Sequence, residues 1–137
     1  MATSDVGASP VSIFAADTIA RVSADADLWA VAAALVDADV GALAVGEGDD
    51  VVGIVSERDV VRALADRRDP SATTAMDVAR TRLVWCDIDS TVAEVAEEMM
   101  EEYVRHVLLE DDGRVAGIVS ARDLLGAYAA AESPETP

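Results

Sequence analysis

Apolar residues recur at intervals of three and four in two stretches of the chain, residues 28–35 and residues 92–99. This spacing is typical of a helix that buries one face. Asp27 and Thr91 stand directly before these stretches, and both residue types can cap a helix. The pattern therefore predicts a helix at each place.

Each predicted helix is followed by two short apolar runs. The runs are 43–45 and 51–55 after the first helix, and 107–109 and 115–119 after the second. Gly, Asp and Glu fill the gap between the runs of a pair, as in the turns of β-hairpins. We therefore predict two hairpins.

A second helix is predicted to begin at Ser56 and at Ser120, because apolar residues at helical spacing follow both serines. A further strand is expected before each helix–hairpin segment, near Ile19–Val22 and Leu83–Cys86. The order in each half is then strand, helix, strand, strand, helix. This order predicts an α/β (α+β) protein built from two β-α-β-β-α units.

The two halves are copies of one unit. Residues 28–64 align on residues 92–128 without a gap, at an offset of 64, and 11 of the 37 aligned pairs are identical. Both copies contain the segment Gly-Ile-Val-Ser-x-Arg-Asp. A unit of about 60 residues is marginally stable alone, so the copies should share a core. We expect domains at 11–68 and 69–130, with flexible tails at 1–10 and 131–137.

The charge of the chain excludes several partners. Asp and Glu total 27 against 10 basic residues, which gives a net charge of −17, and all ten basic residues are arginine. This surface repels nucleic acids and anionic membranes, so we expect neither as a partner. No apolar run approaches the roughly 18 residues of a membrane span, and the N-terminus does not resemble a secretory signal. The single cysteine, Cys86, cannot form an internal disulfide and is expected to be a buried strand residue in a reducing compartment. We therefore expect a cytoplasmic protein.

The Ser-x-x-Asp spacing within the repeated segment has two interpretations. Ser56 with Asp59, and Ser120 with Asp123, can form capping boxes, in which the serine and the acidic side chain satisfy each other's backbone N–H groups. The same carboxylates can also accept hydrogen bonds from ribose hydroxyls, and a helix N-terminus favours an anion such as phosphate. The spacing alone leaves both interpretations open.

The repeat and its closing Gly-Ile-Val-Ser-x-Arg-Asp resemble the CBS domain, a family named after cystathionine β-synthase. The resemblance covers about residues 11 to 130. It implies two units packed through their sheets with pseudo-two-fold symmetry, with clefts between them that bind AMP, ADP, ATP or S-adenosylmethionine. It also implies a regulatory role, no obligatory cofactor, a homodimer and an unknown regulated partner protein.

The resemblance assigns roles to six residues, and two arginines join them as candidates on their chemistry. Asp59 and Asp123 match the family's ribose-holding aspartate, and Ser56 and Ser120 lie beside them. Arg58 and Arg122 are either phosphate ligands or members of surface ion pairs.

The two copies differ where the family often places phosphate-binding Arg or His. Here the second copy has Arg105 and His106, whereas the first has Gly41 and Ala42. Arg105 is the first candidate for a phosphate contact and His106 the second. We therefore expect two unequal clefts.

Enzymatic activity is not expected. The sequence has no P-loop, no Ser–His–Asp or Cys–His arrangement and no cluster of metal ligands, and it is too short for a catalytic barrel of about 250 residues. The main hypothesis is a non-catalytic sensor of adenine nucleotides or S-adenosyl ligands. The alternative is a structural module for dimerisation or protein interaction, with vestigial clefts.

The acidic, lysine-free composition predicts a protein adapted to high salt, such as one from a halophilic archaeon. Self-repulsion of a dense negative surface opposes folding at low ionic strength, and a Debye length of about 3 Å at 1 M salt removes that cost. We expect the urea midpoint of unfolding to be higher in molar KCl than in dilute buffer. Equal midpoints in the two solutions would contradict this adaptation.

Overall fold

The computed structural model describes residues 6–14 and 19–132. Contacts between Cα atoms divide the chain into two compact units, one of residues 18–83 and the other of residues 1–17 together with 84–137. Each unit contains one three-stranded sheet.

The unit of residues 18–83 has the predicted order of elements for the first repeat. Its elements are β1 (Arg21–Val22), α1 (Leu28–Ala38), β2 (Ala42–Glu47), β3 (Asp50–Ser56), α2 (Glu57–Ala65) and a short α3 (Ala75–Val78). The α3 helix was not predicted, because it lies between the two aligned segments of the repeat, residues 28–64 and 92–128.

The other unit repeats the arrangement. Its elements are two 3₁₀ turns (Val6–Ala8 and Val11–Phe14), β4 (Trp85–Asp87), α4 (Val92–Glu102), β5 (His106–Asp111), β6 (Arg114–Ser120) and α5 (Ala121–Glu132). The predicted mixed α/β class and the two β-α-β-β-α units are thus confirmed.

The sheets have the same topology and the same irregularity. In each sheet the first strand is parallel to the second, and the second is antiparallel to the third. The register shifts between Val45 and Gly46 in one sheet and between Leu109 and Glu110 in the other, and these positions are 64 residues apart. The repeat read from the sequence therefore extends to the backbone.

The helix caps follow the same offset. The Asp27 side chain accepts from the N–H of Ala30 at 2.9 Å, and Thr91 caps α4, as predicted. Both helices end in a left-handed residue, Asp39 with φ 54° and Tyr103 with φ 57°. Helices α1 and α4 therefore start and stop at equivalent positions.

Each unit has its own hydrophobic core, in which the inward-facing residues of the hairpin are fully buried. These are Leu43, Val45 and Val55 in one unit and Val107, Leu109 and Val119 in the other. Each such side chain stabilises the fold by about 1.5–3 kcal/mol relative to an exposed one.

The segment that precedes each repeat packs in the unit of the other repeat. The N–H of Val11 donates to the carbonyl of Ser90 at 2.9 Å, just before α4. At the equivalent position, the N–H of Ala75 donates to the carbonyl of Ala26 at 2.7 Å, just before α1. The leading segments are thus exchanged. The segment before the first repeat packs in the unit of the second, and the segment before the second repeat packs in the unit of the first.

The predicted domain boundaries, 11–68 and 69–130, follow the repeat along the sequence and stay a prediction, as does the flexibility of the two tails. Residues 1–5 and 133–137 lie outside the described residues. Across the described ranges, none of the helices has the length and apolar character that crossing a bilayer requires.

The exchange predicts that a buried residue of the leading segment stabilises the unit of residues 84–132. Val11 has no exposed surface, whereas Ile13 is 65% exposed. Val11→Ala should lower the free energy of unfolding by about 2 kcal/mol, because it removes buried methyl groups and leaves a cavity. Ile13→Ala should change it by less than about 0.5 kcal/mol. Urea unfolding in molar KCl measures both, and equal effects would contradict the exchange.

Candidate functional site

Both Ser-x-x-Asp segments lie where a strand runs directly into a helix. In the first repeat, the N–H of Ser56 donates to Asp59 Oδ2 at 2.8 Å, and the N–H of Asp59 donates to Ser56 Oγ at 3.2 Å. In the second, the N–H of Ser120 donates to Asp123 Oδ2 at 2.8 Å, and the N–H of Asp123 donates to Ser120 Oγ at 3.0 Å. The capping interpretation is therefore confirmed in both copies.

The capping box holds each carboxylate by one oxygen. In the first copy Ser56 Oγ also donates to Asp59 Oδ2, at 2.9 Å. The bonds of the box use Oδ2 in both copies, and Oδ1 takes no part in them. A fixed carboxylate whose second oxygen lies outside the box can accept a hydrogen bond from a ligand hydroxyl. Capping and ligand binding are thus compatible at one side chain.

The first of these carboxylates borders a surface cavity of about 170 Å³. Asp59 itself is only 8% exposed, whereas Asp123 is exposed. The cavity is lined by Asp59, Arg62, Ala63, Asp66, Arg68, Asp77 and Val78. Its volume is below the 300–1,000 Å³ typical of pockets for whole small-molecule ligands, so it has room for part of one.

The helix N-termini offer few free backbone donors. The N–H of Glu57 donates to the carbonyl of Gly41 at 2.9 Å, and the N–H of Ala121 donates to the carbonyl of Arg105 at 2.8 Å. The N–H of each aspartate is bound within its capping box. In the first turn of each helix, at most the N–H of Arg58 or of Arg122 is left to bind a phosphate. A phosphate here would therefore depend on side chains more than on the helix end.

The structure brings the predicted phosphate ligands of the second repeat to its capping box. His106 is the cross-strand neighbour of Ser120, and the carbonyl of Arg105 is bound at the start of α5. Arg105 is exposed and His106 is half-buried. Both residues thus lie at the strand–helix junction that carries Asp123, while their roles in binding stay a prediction.

The paired arginines also lie at these junctions. Arg58 and Arg122 are in the first turns of α2 and α5, and both are exposed. Their positions fit either interpretation made from the sequence, so their binding role also stays a prediction.

Sequence reasoning missed Glu57. A Cβ atom placed on Gly41 would lie 3.5 Å from Glu57 Oε1, so the carboxylate of Glu57 reaches the start of β2. The equivalent residue of the second repeat is Ala121. The signal was the Glu57/Ala121 mismatch in the otherwise identical Ser-x-Arg-Asp segments.

Another capping box, between Thr74 and Asp77, was also missed, although Thr-x-x-Asp is visible in the sequence. The N–H of Thr74 donates to Asp77 Oδ2 at 2.9 Å. This bond, the bond to the Thr74 hydroxyl and the nearby Arg68 guanidinium lower the pKa of Asp77 below its ordinary value. The box fixes the start of α3 beside the cavity.

Cys86 and the tryptophans do not add to the site. Cys86 is half-buried in β4, and burial, followed by Glu98 and Glu94, raises the pKa of its thiol. Trp29 Nε1 donates to Ser71 Oγ at 3.2 Å, which ties α1 to the loop between α2 and α3. Within residues 6–14 and 19–132, no group of three or more His, Cys, Asp or Glu is arranged to hold a metal ion.

Comparison of the sequence with protein families matches the CBS domain twice, at residues 10–66 and 75–130. Hypoxic response protein 1 of Mycobacterium tuberculosis is 34% identical over 88 residues. The match covers 63% of this chain and 62% of that protein, so less than two thirds of the relative's length is spanned.

Solved structures with the same fold include three of interest. A putative signal-transduction protein with CBS domains from Burkholderia ambifaria has a TM-score of 0.78 and 26% identity, covering 88% of this chain and 90% of that one. Hypoxic Response Protein I, solved with two coordinated zinc ions, has a TM-score of 0.68 and 28% identity, covering 86% and 98%. The CBS domain pair of protein MJ0100, solved with 5′-methylthioadenosine and S-adenosyl-L-methionine, has a TM-score of 0.76 and 22% identity, covering 88% and 99%.

The Thr74–Asp77 box predicts a pH-dependent contribution to stability. Because the folded pKa of Asp77 lies below its ordinary value, the contribution is present above about pH 4 and is lost as the pH falls through the folded pKa. The difference in urea midpoint between the protein and its Asp77→Asn variant should therefore shrink in acid. A difference that stays constant from pH 6 to pH 2.5 would contradict the ionised box.

Proposed function

Because the chain belongs to the CBS domain family and carries two copies of the domain, we propose that it is a non-catalytic regulatory module. Its ligand is an adenosine-containing small molecule of the class of AMP, ADP, ATP or S-adenosylmethionine. Binding of this ligand alters the module's interaction with a partner protein.

The fixed carboxylate at each strand–helix junction carries the proposal. The capping box orients Asp59 and Asp123 through Oδ2, which leaves Oδ1 to accept a bond from a ribose hydroxyl. A pre-oriented acceptor loses little side-chain entropy when the ligand binds. The adenosine ligands of the MJ0100 domain pair support the ligand class, since that protein has the same fold.

The 5′ end of a nucleotide would meet Arg105 and His106 in the second repeat. His106 pairs with Ser120 across the strands, and Arg105 is bonded through its carbonyl at the start of the helix that carries Asp123. A guanidinium binds phosphate with two parallel hydrogen bonds. Arg122 stands one residue before Asp123 and can add to this contact, as Arg58 can in the first repeat. The second repeat is therefore the better site for a phosphorylated ligand.

Isothermal titration in molar KCl tests the role of the aspartates. Asp123→Asn should weaken AMP binding at the second site about tenfold or more, because a hydrogen bond to a charged group contributes about 1.5–3 kcal/mol. Arg105→Ala should weaken AMP at the same site while leaving 5′-methylthioadenosine, which has no phosphate, within about twofold.

Glu94→Ala is the matched control for Asp123→Asn. Glu94 closes the capping box of α4, where the N–H of Thr91 donates to Glu94 Oε1 at 2.8 Å. The variant loses a comparable cap, and AMP affinity should not change. Loss of AMP affinity in both variants would assign the effect to stability and contradict a direct contact of Asp123.

A second candidate function, dimerisation, is supported by exposed apolar side chains at equivalent positions of both repeats. Val36 on α1 and Met100 on α4 are each 77% exposed. Val61 on α2 and Leu125 on α5 are also exposed. Apolar groups left in water on four helices favour an interface with a second copy of the chain. The homodimer and the ligand-binding role are compatible.

Charge placed on these helices should prevent the dimer. Val61→Glu with Leu125→Glu should convert a dimer to a monomer in light scattering after size-exclusion chromatography in molar KCl, because burying an unpaired carboxylate is costly. Thr81→Glu, at an exposed loop position, should leave the dimer intact. A stable dimer whose melting temperature does not rise with any adenosine ligand would favour a purely structural role.

A further inference from the structure

The two strand–helix junctions differ in charge at the residues where the strand and the helix meet. At the first junction, the Glu57 carboxylate lies against Gly41, with Oε1 3.5 Å from the position of a Gly41 Cβ. At the second junction, the same two places hold Ala121 and Arg105. The first junction therefore has an acid at the start of its helix, whereas the second has an arginine at the start of its strand.

Backbone hydrogen bonds show that these residues occupy equivalent positions in the two copies. The N–H of Glu57 donates to the carbonyl of Gly41 at 2.9 Å, and the N–H of Ala121 donates to the carbonyl of Arg105 at 2.8 Å. The helix start and the strand start are thus held together in the same way in both copies. At these two hydrogen-bonded positions, the junctions differ in their side chains.

The cavity beside Asp59 does not offset the negative charge of Glu57. Its lining has three aspartates and two arginines, Arg62 and Arg68, so its formal charge is −1. Arg68 is already close enough to Asp77 to stabilise that carboxylate electrostatically. A phosphate entering the first site therefore meets a surplus of carboxylates, whereas a neutral or cationic group does not.

We propose that the first repeat selects adenosine ligands whose 5′ group is neutral or cationic, that the second repeat accepts 5′ phosphates, and that Glu57 sets the preference of the first. This inference rests on the proposed function, in which Asp59 and Asp123 hold the ribose. It adds a specificity-determining residue that acts by repulsion.

The test isolates each site with a ribose-contact variant. Asp123→Asn leaves the first site, and Asp59→Asn leaves the second. Isothermal titration with 5′-methylthioadenosine, S-adenosylmethionine and AMP then gives a ranking for each site in 0.1 M KCl. At the first site, the neutral and cationic ligands should bind more tightly than AMP. At the second site, AMP should bind at least as tightly as 5′-methylthioadenosine.

Glu57→Gln in the Asp123→Asn background should raise AMP affinity about fivefold to tenfold and leave 5′-methylthioadenosine within about twofold. The amide keeps the size of the side chain and removes its charge. Conversely, Ala121→Glu in the Asp59→Asn background should weaken AMP by a similar factor. Both effects should shrink in 1 M KCl, because exposed charges are then screened.

Glu47→Gln is the control for net charge, since Glu47 lies at the opposite end of β2 from the junction. It removes one negative charge and should leave the AMP affinity of the first site unchanged. If AMP affinity rises equally in Glu47→Gln and Glu57→Gln, or in neither while 5′-methylthioadenosine still binds, Glu57 does not set specificity. If none of the three ligands binds either single-site protein, the proposed function itself is wrong, and this inference fails with it.

Discussion

The reciprocal hydrogen bonds of the Ser-x-x-Asp box link the fold to the site. They join the last residue of a strand to the first turn of a helix, and they fix a carboxylate in one orientation at that junction. Without the box, two backbone N–H groups at each junction would lose these partners, and the carboxylate would no longer be held in one orientation. The same two bonds therefore serve folding and pre-organise an acceptor.

The order of elements could be predicted because the pattern that encodes it is local and occurs twice. The helical spacing before Val40 and Val104, and the apolar runs of the hairpins, each depend on a few neighbouring residues. The offset of 64 then reinforced every assignment, down to the caps at Asp27 and Thr91. Local and repeated signals of this kind agree with the final packing.

The features that escaped prediction depend on residues far apart in the chain. The contact between Val11 and Ser90 has no local signature, because it joins residues far apart in the sequence. Glu57 drew no attention because its importance arises only when Gly41 is brought beside it. The short α3 did have a local signal, the Thr74–Asp77 pair, but it lies outside the aligned segments of the repeat.

The exchanged leading segments make the two units unequal during synthesis. The unit of residues 18–83 is continuous, so all of its chain has left the ribosome before the second repeat is complete. The other unit is discontinuous. Its first piece, residues 6–14, emerges before the first repeat, and it cannot form its contacts until residues 84–132 have been synthesised. Because domains generally fold as units from the N-terminal side, the unit of residues 18–83 is positioned to fold first, and the discontinuous unit completes its fold after residues 84–132 have emerged. Two nearly symmetric repeats thus enter the native state by an asymmetric route.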